Sequence, residues 1–321
     1  MSLSLAEAEA LFGRMLDGAM DDAAITACLV DLADRGETAQ EVAGAVRAMR
    51  QRMVRAPGLD TAIDVCGTGG DGQHSLNVST ATAIVVAACD VPVAKHGNRA
   101  ASSLAGGADT LEALGLNLAQ ASSRAAETLA EIGIAFFFAQ AHHPALARIA
   151  PIRKALGRRT IFNLLGPLAN PAGVSRQLVG VPSPALIPLY AEAMALLGTE
   201  RALIVSGEEG LDELSIAGPS RRAAIGITGL ADRVSPEDAG LPRHSLTALR
   251  GGDAAFNAAA LRELLLGVPG AYRDAVLLNS AGALIVAGAA RDWRDGVEEA
   301  AEAIDKGLAH ALLDCWIAAV R

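Results

Sequence analysis

Aromatic side chains and cysteines are scarce in this chain of 321 residues, which contains 2 Trp, 2 Tyr, 6 Phe and 4 Cys. Hydrophobic residues nevertheless make up 51% of it, so the core must be built from Ala, Leu, Val and Ile rather than from large rings. Cys28, Cys66, Cys89 and Cys315 lie far apart, which argues against a zinc cluster and against a disulfide framework. This composition indicates a globular protein of a reducing compartment, and we expect it in the cytoplasm.

Positive charge and long apolar runs are also lacking. Lys and Arg number 27 against 36 Asp and Glu, so the formal net charge is −9 and the electrostatic footprint of a nucleic-acid-binding protein is missing. The most apolar stretches, residues 81–94 and 275–290, are interrupted by Asp90 and Asn279 and are shorter than the roughly 20 residues of a spanning helix. The first ten residues contain acids instead of the basic segment of a signal peptide. We therefore expect a soluble protein that binds neither nucleic acid nor a membrane.

The periodicity of apolar residues changes near Pro57. Residues 4–55 follow helical spacing, and Ser4 with Glu7 and Thr38 with Glu41 fit capping boxes. After residue 57 the pattern alternates between helical segments and short apolar runs, which is typical of an α/β sheet. The predicted strands are residues 61–66, 91–94, 134–139, 178–181, 202–206 and 223–227. The chain thus divides into a helical domain at 1–57, which residues 160–176 can join, and an α/β domain at 58–321.

Two glycine-containing loops follow predicted strands. In residues 64–80, DVCGTGGDGQHSLNVST, the glycines let the backbone approach a phosphate, and N–H groups at the start of the next helix can donate to it. The spacing matches neither the dinucleotide fingerprint nor the P-loop, and Ser79 or Thr80 can also serve only as a helix cap. Residues 95–99, KHGNR, stand where α/β sheets bind ligands. The alternative is a solvated loop whose Lys95 and Arg99 pair with nearby acids.

Charged and imidazole side chains elsewhere offer further chemistry. Residues 208–213 contain four acids, which usually form a solvated face, but an Asp-Glu pair after a strand also supplies the oxygen ligands that Mg²⁺ prefers. Adjacent His142 and His143 cannot easily chelate one ion, and we interpret His143, which precedes a proline, as structural. Arg153 can form a fork-like ion pair with a carboxylate of the protein or of a substrate.

Four segments in this order resemble the anthranilate phosphoribosyltransferase family of tryptophan biosynthesis: DVCGTGGDGQHSLNVST, KHGNRAASSLAGGADTLEALG, HHPALARIAPIRKALGRRTIFNLLGPLANPAG and GEEGLDELS. The resemblance runs nearly from end to end and includes LLNSAGALIVAG and AIDKG near the C-terminus. It implies a small N-terminal helical domain beside a larger α/β domain whose central, mostly parallel sheet is flanked by helices. It also implies a homodimer through the helical domain, two Mg²⁺ ions as cofactors, and phosphoribosyl pyrophosphate and anthranilate as substrates.

Site residues follow from the same resemblance. Lys95 and Arg153 are the implied catalytic residues, while Asn98, His142 and Arg153 fall where the family holds anthranilate. Ser79, Asp212 and Glu213 match the metal-binding positions. The remaining implied substrate-binding residues are Gly67, Gly70, Asp71, Ser75, Asn77, Val78, Thr80, His96, Gly97, Arg99, Ser102, Ser103 and Gly107.

Three alternatives stay open at this point. A pyrimidine nucleoside phosphorylase of the same fold would show a Lys-His-Ser-Thr-Gly-Gly loop, which this sequence lacks. A phosphoribosyltransferase for another aromatic acceptor would share the phosphate loops and differ only in its acceptor pocket. A non-catalytic relative that binds nucleic acid would have lost the Asp212 and Glu213 pair and would carry a basic groove.

Overall fold

The computed structural model describes residues 2–56, 59–100 and 103–321. Pro57, where we expected the domain boundary, and Ser102 lie outside the described residues. Within the described residues the helices are α1 (Leu5–Leu16), α2 (Asp22–Arg35), α3 (Ala39–Arg52), α4 (Val78–Ala88), α5 (Gly107–Ala113), α6 (Leu118–Ser123), α7 (Ala125–Ile132), α8 (Ala139–His142), α9 (Ala150–Leu156), α10 (Phe162–Leu165), α11 (Ile187–Leu196), α12 (Ala254–Leu265), α13 (Ala271–Ala287), α14 (Trp293–Asp305) and α15 (Leu308–Ala319). The strands are β1 (Ile63–Gly67), β2 (Val93–Gly97), β3 (Ile134–Phe138), β4 (Arg176–Gly180), β5 (Arg201–Gly207), β6 (Ser220–Ile225) and β7 (Arg233–Val234).

The N-terminal helices begin where their capping residues predict. The Ser4 hydroxyl accepts from the Glu7 N–H at the start of α1, and Thr38 does the same for Glu41 at the start of α3. Glu41 is fully buried and accepts hydrogen bonds from Arg35, which fixes the α2–α3 connection. Both predicted capping boxes are present.

Residues 161–169 pack against the N-terminal helices, as the sequence allowed. Ile161, Phe162 and Leu165 share one hydrophobic core with Phe12 of α1, and the Phe12 and Phe162 rings meet edge to face with centroids 5.8 Å apart. The same core continues to Tyr190 of α11 and to one face of the sheet. The helical unit therefore packs against the sheet through apolar contacts.

The sheet has the order β3-β2-β1-β4-β5-β6-β7, in which the first five strands are parallel and β6 and β7 are antiparallel. The parallel strands are almost entirely buried because helices cover both faces, which explains why they read as continuous apolar runs. Their bounds differ from the predicted ones by at most two residues, except that β2 ends three residues later than predicted; β6 begins three residues earlier than predicted. The expected α/β fold with a central, mostly parallel sheet is confirmed.

Four of the parallel strands end in glycine at the same edge of the sheet. These residues are Gly67, Gly97, Gly180 and Gly207, the last residues of β1, β2, β4 and β5. Because carboxyl ends of parallel strands meet at one edge, the loops that follow these glycines lie next to one another. Separately, no helix in the described part of the chain is both long enough and apolar enough to cross a membrane.

Candidate active site

The acidic run after β5 splits into two structurally different pairs. The Glu208 carboxylate accepts hydrogen bonds from Arg221 Nε and Arg233 Nη2, each at 2.8 Å, and Glu209 accepts one from the Ser215 hydroxyl. Asp212 turns the other way, and its Oδ2 accepts from the Gly69 N–H of the glycine-rich loop at 2.7 Å. Glu213 is buried beside it, with 8% of its surface exposed. The second pair therefore faces the carboxyl edge of the sheet.

Two glycines make room for Asp212. A Cβ on Gly180 would lie 1.6 Å from the Asp212 carbonyl oxygen, and a Cβ on Gly67 would lie 2.2 Å from its Oδ2. Any side chain at either position would push the acidic loop away from the sheet. Gly180, which the sequence analysis did not single out, is therefore part of the site, and its position at the end of a predicted strand is the signal that could have identified it.

Three carboxyl groups, those of Asp71, Asp212 and Glu213, lie close together here. Burial and the charge of Asp71 raise the pKa of Asp212 to about 7, and burial and the charge of Asp212 raise that of Glu213 well above its usual range. Asp71 Oδ2 is buried, and no other described residue donates a hydrogen bond to it. Carboxylate oxygens that converge in this way are the donor set that a hard divalent cation such as Mg²⁺ prefers.

Protein ligands alone do not complete a metal site. In the ranges that the structure describes, no group of three or more His, Cys, Asp or Glu side chains is arranged to hold an ion. Mg²⁺ is usually held by one or two carboxylates together with water and substrate phosphates. The Asp212 and Glu213 pair fits that mode of binding.

Lys95 connects this acidic pair to the start of α4. Its Nζ lies buried, donating to the Val65 carbonyl at 2.7 Å and to Ser79 Oγ at 3.2 Å. The charge of Lys95 and the Ser79 N–H both lower the pKa of Glu213 against the effect of burial. Lys95, Ser79 and Glu213, predicted from distant segments, are thus brought together.

Asn77, rather than Ser79 or Thr80, precedes the first turn of α4. Its side chain makes no capping hydrogen bond; instead its Oδ1 accepts from Thr110 Oγ1 and, at 2.9 Å, from Asn257 Nδ2. Its Nδ2 donates to the Ala105 carbonyl at 3.2 Å. Asn77 therefore links residues 64–80 to the 103–107 loop and to α12, which sequence spacing could not predict.

The 95–107 region divides the basic residues between two environments. Lys95 is buried, whereas Arg99 lies near the surface and pairs with Asp109 and Glu112 at 2.8 and 2.9 Å. These pairs raise the pKa of Arg99. The alternative in which the basic side chains pair with nearby acids therefore applies to Arg99 and not to Lys95. Gly107 packs against α4, since a Cβ there would lie 2.8 Å from Thr80 Oγ1.

The other predicted site residues occupy loops or strand ends around these groups. Gly70 has a left-handed backbone with φ of 75°, and Ser75 forms an isolated bridge with Arg250. The Asn98 side chain accepts from the Arg99 N–H at 2.9 Å, and Ser103 Oγ donates to the Ala105 carbonyl at 3.4 Å. Val78 is the first residue of α4, and Gly97 is the last residue of β2.

The histidines differ in how many of their nitrogens are engaged. His142 Nδ1 lies 2.8 Å from the Val54 carbonyl, and its Nε2 lies 3.1 Å from Ser122 Oγ. His96 Nδ1 bonds the Gly166 carbonyl at 3.0 Å, while the buried Nε2 atoms of His96 and His143 have no partner among the described residues. Burial lowers the pKa of His96 to about 3 and that of His143 to about 4, so both rings are neutral at pH 7.

His143, which the sequence analysis interpreted as structural, packs against His96 in the fold. Its ring centroid lies 5.2 Å from that of His96, beside the loop that leaves β2. The Nε2 atoms of both rings are enclosed and have no hydrogen-bond partner among the described residues.

A cavity of about 940 Å³ adjoins the 95–107 region. Arg99, Phe138 and His142 line it, together with Val54 and residues of α6. Arg153 is not among its lining residues; in α9 its guanidinium carbon lies 5.6 Å from the Phe162 ring centroid, and burial lowers its pKa. The structure thus brings His142 and Arg99 to one cavity and places Arg153 against the helical core.

The chain matches two family models of one enzyme class. Residues 1–53 match the helical bundle domain of a glycosyl transferase family, and residues 59–310 match its α/β domain. The two matches define the chain as a glycosyl transferase with a helical bundle domain and an α/β domain.

More specific matches come from individual proteins. An anthranilate phosphoribosyltransferase from Novosphingobium aromaticivorans is 65% identical over 319 residues, which span 99% of this chain and 97% of that protein. The structure of that enzyme from Thermus thermophilus matches with a TM-score of 0.95 and 42% identity, covering 100% of this chain and 97% of the other. The Saccharomyces cerevisiae enzyme in complex with PRPP and Mg matches with a TM-score of 0.89 and 29% identity, covering 98% and 92%. The chain belongs to the anthranilate phosphoribosyltransferase family.

Proposed function

We propose that the protein transfers the phosphoribosyl group of 5-phosphoribosyl 1-pyrophosphate to the amine of anthranilate, giving N-(5-phosphoribosyl)anthranilate and pyrophosphate in tryptophan biosynthesis. The observation that carries this proposal is the convergence at one sheet edge of the 67–80 loop, buried Lys95 and the Asp212 and Glu213 pair. Such a combination suits a substrate that carries phosphate and diphosphate groups.

The residues of this edge divide the binding of the diphosphate between them. Backbone N–H groups of the glycine-rich loop and of the first turn of α4 donate to phosphate oxygens, and Lys95 supplies a buried positive charge. Ser79, Asp212 and Glu213 would hold two Mg²⁺ ions, whose chemistry is to neutralise the charge that develops on the departing pyrophosphate. These groups also explain how a chain of net charge −9 binds a highly anionic substrate.

The acceptor side needs little acid-base chemistry. An aromatic amine is already unprotonated at neutral pH, so the nitrogen can attack the anomeric carbon as the bond to pyrophosphate breaks, and its proton leaves afterwards. Holding the two reactants in line is then the main contribution of the protein. Asn98, His142 and Arg153 are the residues that we assign to anthranilate, and Arg153 suits its carboxylate.

The direct test follows the loss of anthranilate fluorescence in the purified protein with phosphoribosyl pyrophosphate and Mg²⁺. Turnover should require Mg²⁺, and it should fall sharply in the Asp212→Asn/Glu213→Gln double variant. A folded wild-type protein that consumes no anthranilate would reject this acceptor, and a panel of other aromatic amines would then test the broader transferase hypothesis.

The role of Arg153 has its own test. Arg153→Ala should raise the KM for anthranilate far more than the KM for phosphoribosyl pyrophosphate, because only the acceptor would lose its carboxylate partner. Equal increases in both constants, measured by the same fluorescence assay, would reject this assignment.

We also propose a homodimer formed through the helical domain, and a cytoplasmic location. We propose further that the chain divides into a helical domain, residues 1–57 joined by residues 160–176, and an α/β domain, residues 58–321. The shared core of α1 to α3 with residues 161–169 supports the division. The wide spacing of the four cysteines along the sequence supports the cytoplasmic location. Light scattering after size-exclusion chromatography tests the dimer, since a monomeric mass at micromolar concentration would reject it.

A further inference from the structure

A buried asparagine on α13 binds the acidic loop by its backbone. Asn279 is fully buried, and its Oδ1 accepts from the Leu214 N–H at 3.0 Å. Its Nδ2 donates to the Leu214 carbonyl at 3.0 Å and to the Ala275 carbonyl at 2.9 Å. One side-chain amide thus satisfies both backbone groups of the residue that directly follows Glu213.

This contact matters because Leu214 lies outside any strand and is fully buried. Buried backbone groups without partners are strongly unfavourable, so the loop keeps this path only while the Asn279 amide stays in place. Gly282 lies one turn further along α13, where a Cβ would come within 2.9 Å of Leu214 Cδ1. Helix α13 therefore contacts Leu214 at two successive turns, through Asn279 and at Gly282.

On its other side, the loop is confined by the sheet. The Asp212 carbonyl lies against Gly180 at the end of β4, so the loop is held between that strand and α13. The Asn279 amide holds the opposite side of the loop through the Leu214 backbone.

We propose that Asn279 is a positioning residue that fixes the Asp212 and Glu213 carboxylates by binding both backbone groups of Leu214. This inference rests on the proposed function, since it assumes that the carboxylates bind a divalent cation together with a diphosphate. Asn279 itself touches neither, so its effect is transmitted through the backbone of residues 212–214.

Two variants of the full-length protein test the proposal. Asn279→Asp keeps the shape and the acceptor but loses both donor hydrogens, while Asn279→Ala removes the amide without adding charge. Mn²⁺ binding in the presence of phosphoribosyl pyrophosphate is measured by electron paramagnetic resonance, and hydrogen exchange of residues 208–216 by mass spectrometry. We expect Mn²⁺ affinity to fall about 10-fold in both variants, exchange of the Leu214 amide to accelerate, and the KM for anthranilate to stay within about twofold.

Ser280→Ala is the matched control. Ser280 is equally buried on the same helix, and its hydroxyl has no hydrogen-bond partner in the described ranges, so Mn²⁺ affinity should not change. Unchanged Mn²⁺ affinity in folded Asn279 variants, or unfolding of both variants, would overturn the positioning role. A wild-type protein that binds no Mn²⁺ with phosphoribosyl pyrophosphate would instead overturn the proposed function.

Discussion

The two acidic pairs within residues 208–213 have the same chemistry in the sequence and opposite environments in the fold. Glu208 lies at the surface between Arg221 and Arg233, and those ion pairs lower its pKa. Asp212, four residues later, is half-buried beside Asp71 and the buried Glu213, and its pKa is raised. The Glu208 carboxylate is paired with two arginines, whereas the Asp212 carboxyl group has no ion pair with a described cation.

This difference shows that the environment of each carboxylate depends on which part of the sheet it faces. Residues 208 and 209 follow β5 on the side of the antiparallel β6, which supplies Arg221, while residues 212 and 213 turn back over the glycine ends of β1 and β4. Asp212 and Glu213 have raised pKa values and no ion pair with a described cation, which is a feature of candidate functional sites.

Removal of the buried pair should have the largest effect. We expect Asp212→Asn combined with Glu213→Gln to lower kcat/KM for phosphoribosyl pyrophosphate by roughly 1,000-fold or more, because the metal would lose its protein ligands. Steady-state assays across a Mg²⁺ titration measure it. Near-normal turnover in the folded double variant would mean that the two environments do not differ in function.

Displacement of the buried pair without changing its charge should come next. Gly180→Ala places a methyl group 1.6 Å from the Asp212 carbonyl oxygen, so the loop must move, and we expect about a 100-fold loss of turnover. The matched control is Gly218→Ala in the β5–β6 connection, where no atom of the described residues other than the chain neighbours lies within 4 Å of the added methyl. Equal activities of the two variants would show that the close approach at Gly180 is unimportant.

The pH dependence of stability offers a smaller and more specific test. The pKa of Asp212 is about 7 in the fold against 3.8 as the ordinary value, so the folded protein holds the proton more tightly. Stability is therefore lost as pH rises from about 4 and levels off above about 7, on the order of 4 kcal/mol in total. Asp212→Asn should remove this contribution.

Urea unfolding of both proteins between pH 4 and pH 8, with EDTA present, measures this difference. The free energy of unfolding of the wild type minus that of Asp212→Asn should be larger at pH 4 than at pH 8. A difference between wild type and variant that is independent of pH would contradict the raised pKa.

The surface pair should show the smallest effect. Glu208→Gln breaks two exposed ion pairs with Arg221 and Arg233, which contribute little in water and are screened by salt. We expect turnover within about twofold of wild type and an unfolding temperature within about 2 °C. A large loss of Mg²⁺ dependence in this variant would place Glu208 in the site and remove the contrast with Asp212.

Local signals predicted much of this molecule because they act over a few residues. The capping boxes at Ser4 and Thr38 form hydrogen bonds three residues away, so their sequence positions alone identified helix starts. Apolar runs identified the buried parallel strands for the same reason, since helices on both faces demand apolar residues at every position. The placement of a glycine-rich loop after β1 followed directly.

Contacts between distant segments were less accessible. Nothing near Arg99 in the sequence distinguishes it from Lys95, yet one is paired with Asp109 and Glu112 and the other is buried against Ser79. His142 and His143 are adjacent, and only the fold shows that the first engages both ring nitrogens while the second faces His96. The contact between the Asn279 amide and Leu214 spans 65 residues.

The order of helices and strands, the family and the residue types of the site are therefore encoded in local patterns, since capping, periodicity and glycine turns depend on neighbouring residues. Which of those residues carry uncompensated charge, and which are merely paired at the surface, follows from the three-dimensional packing. Burial and the approach of charges from other segments set the electrostatic environment, and neither can be counted along the chain.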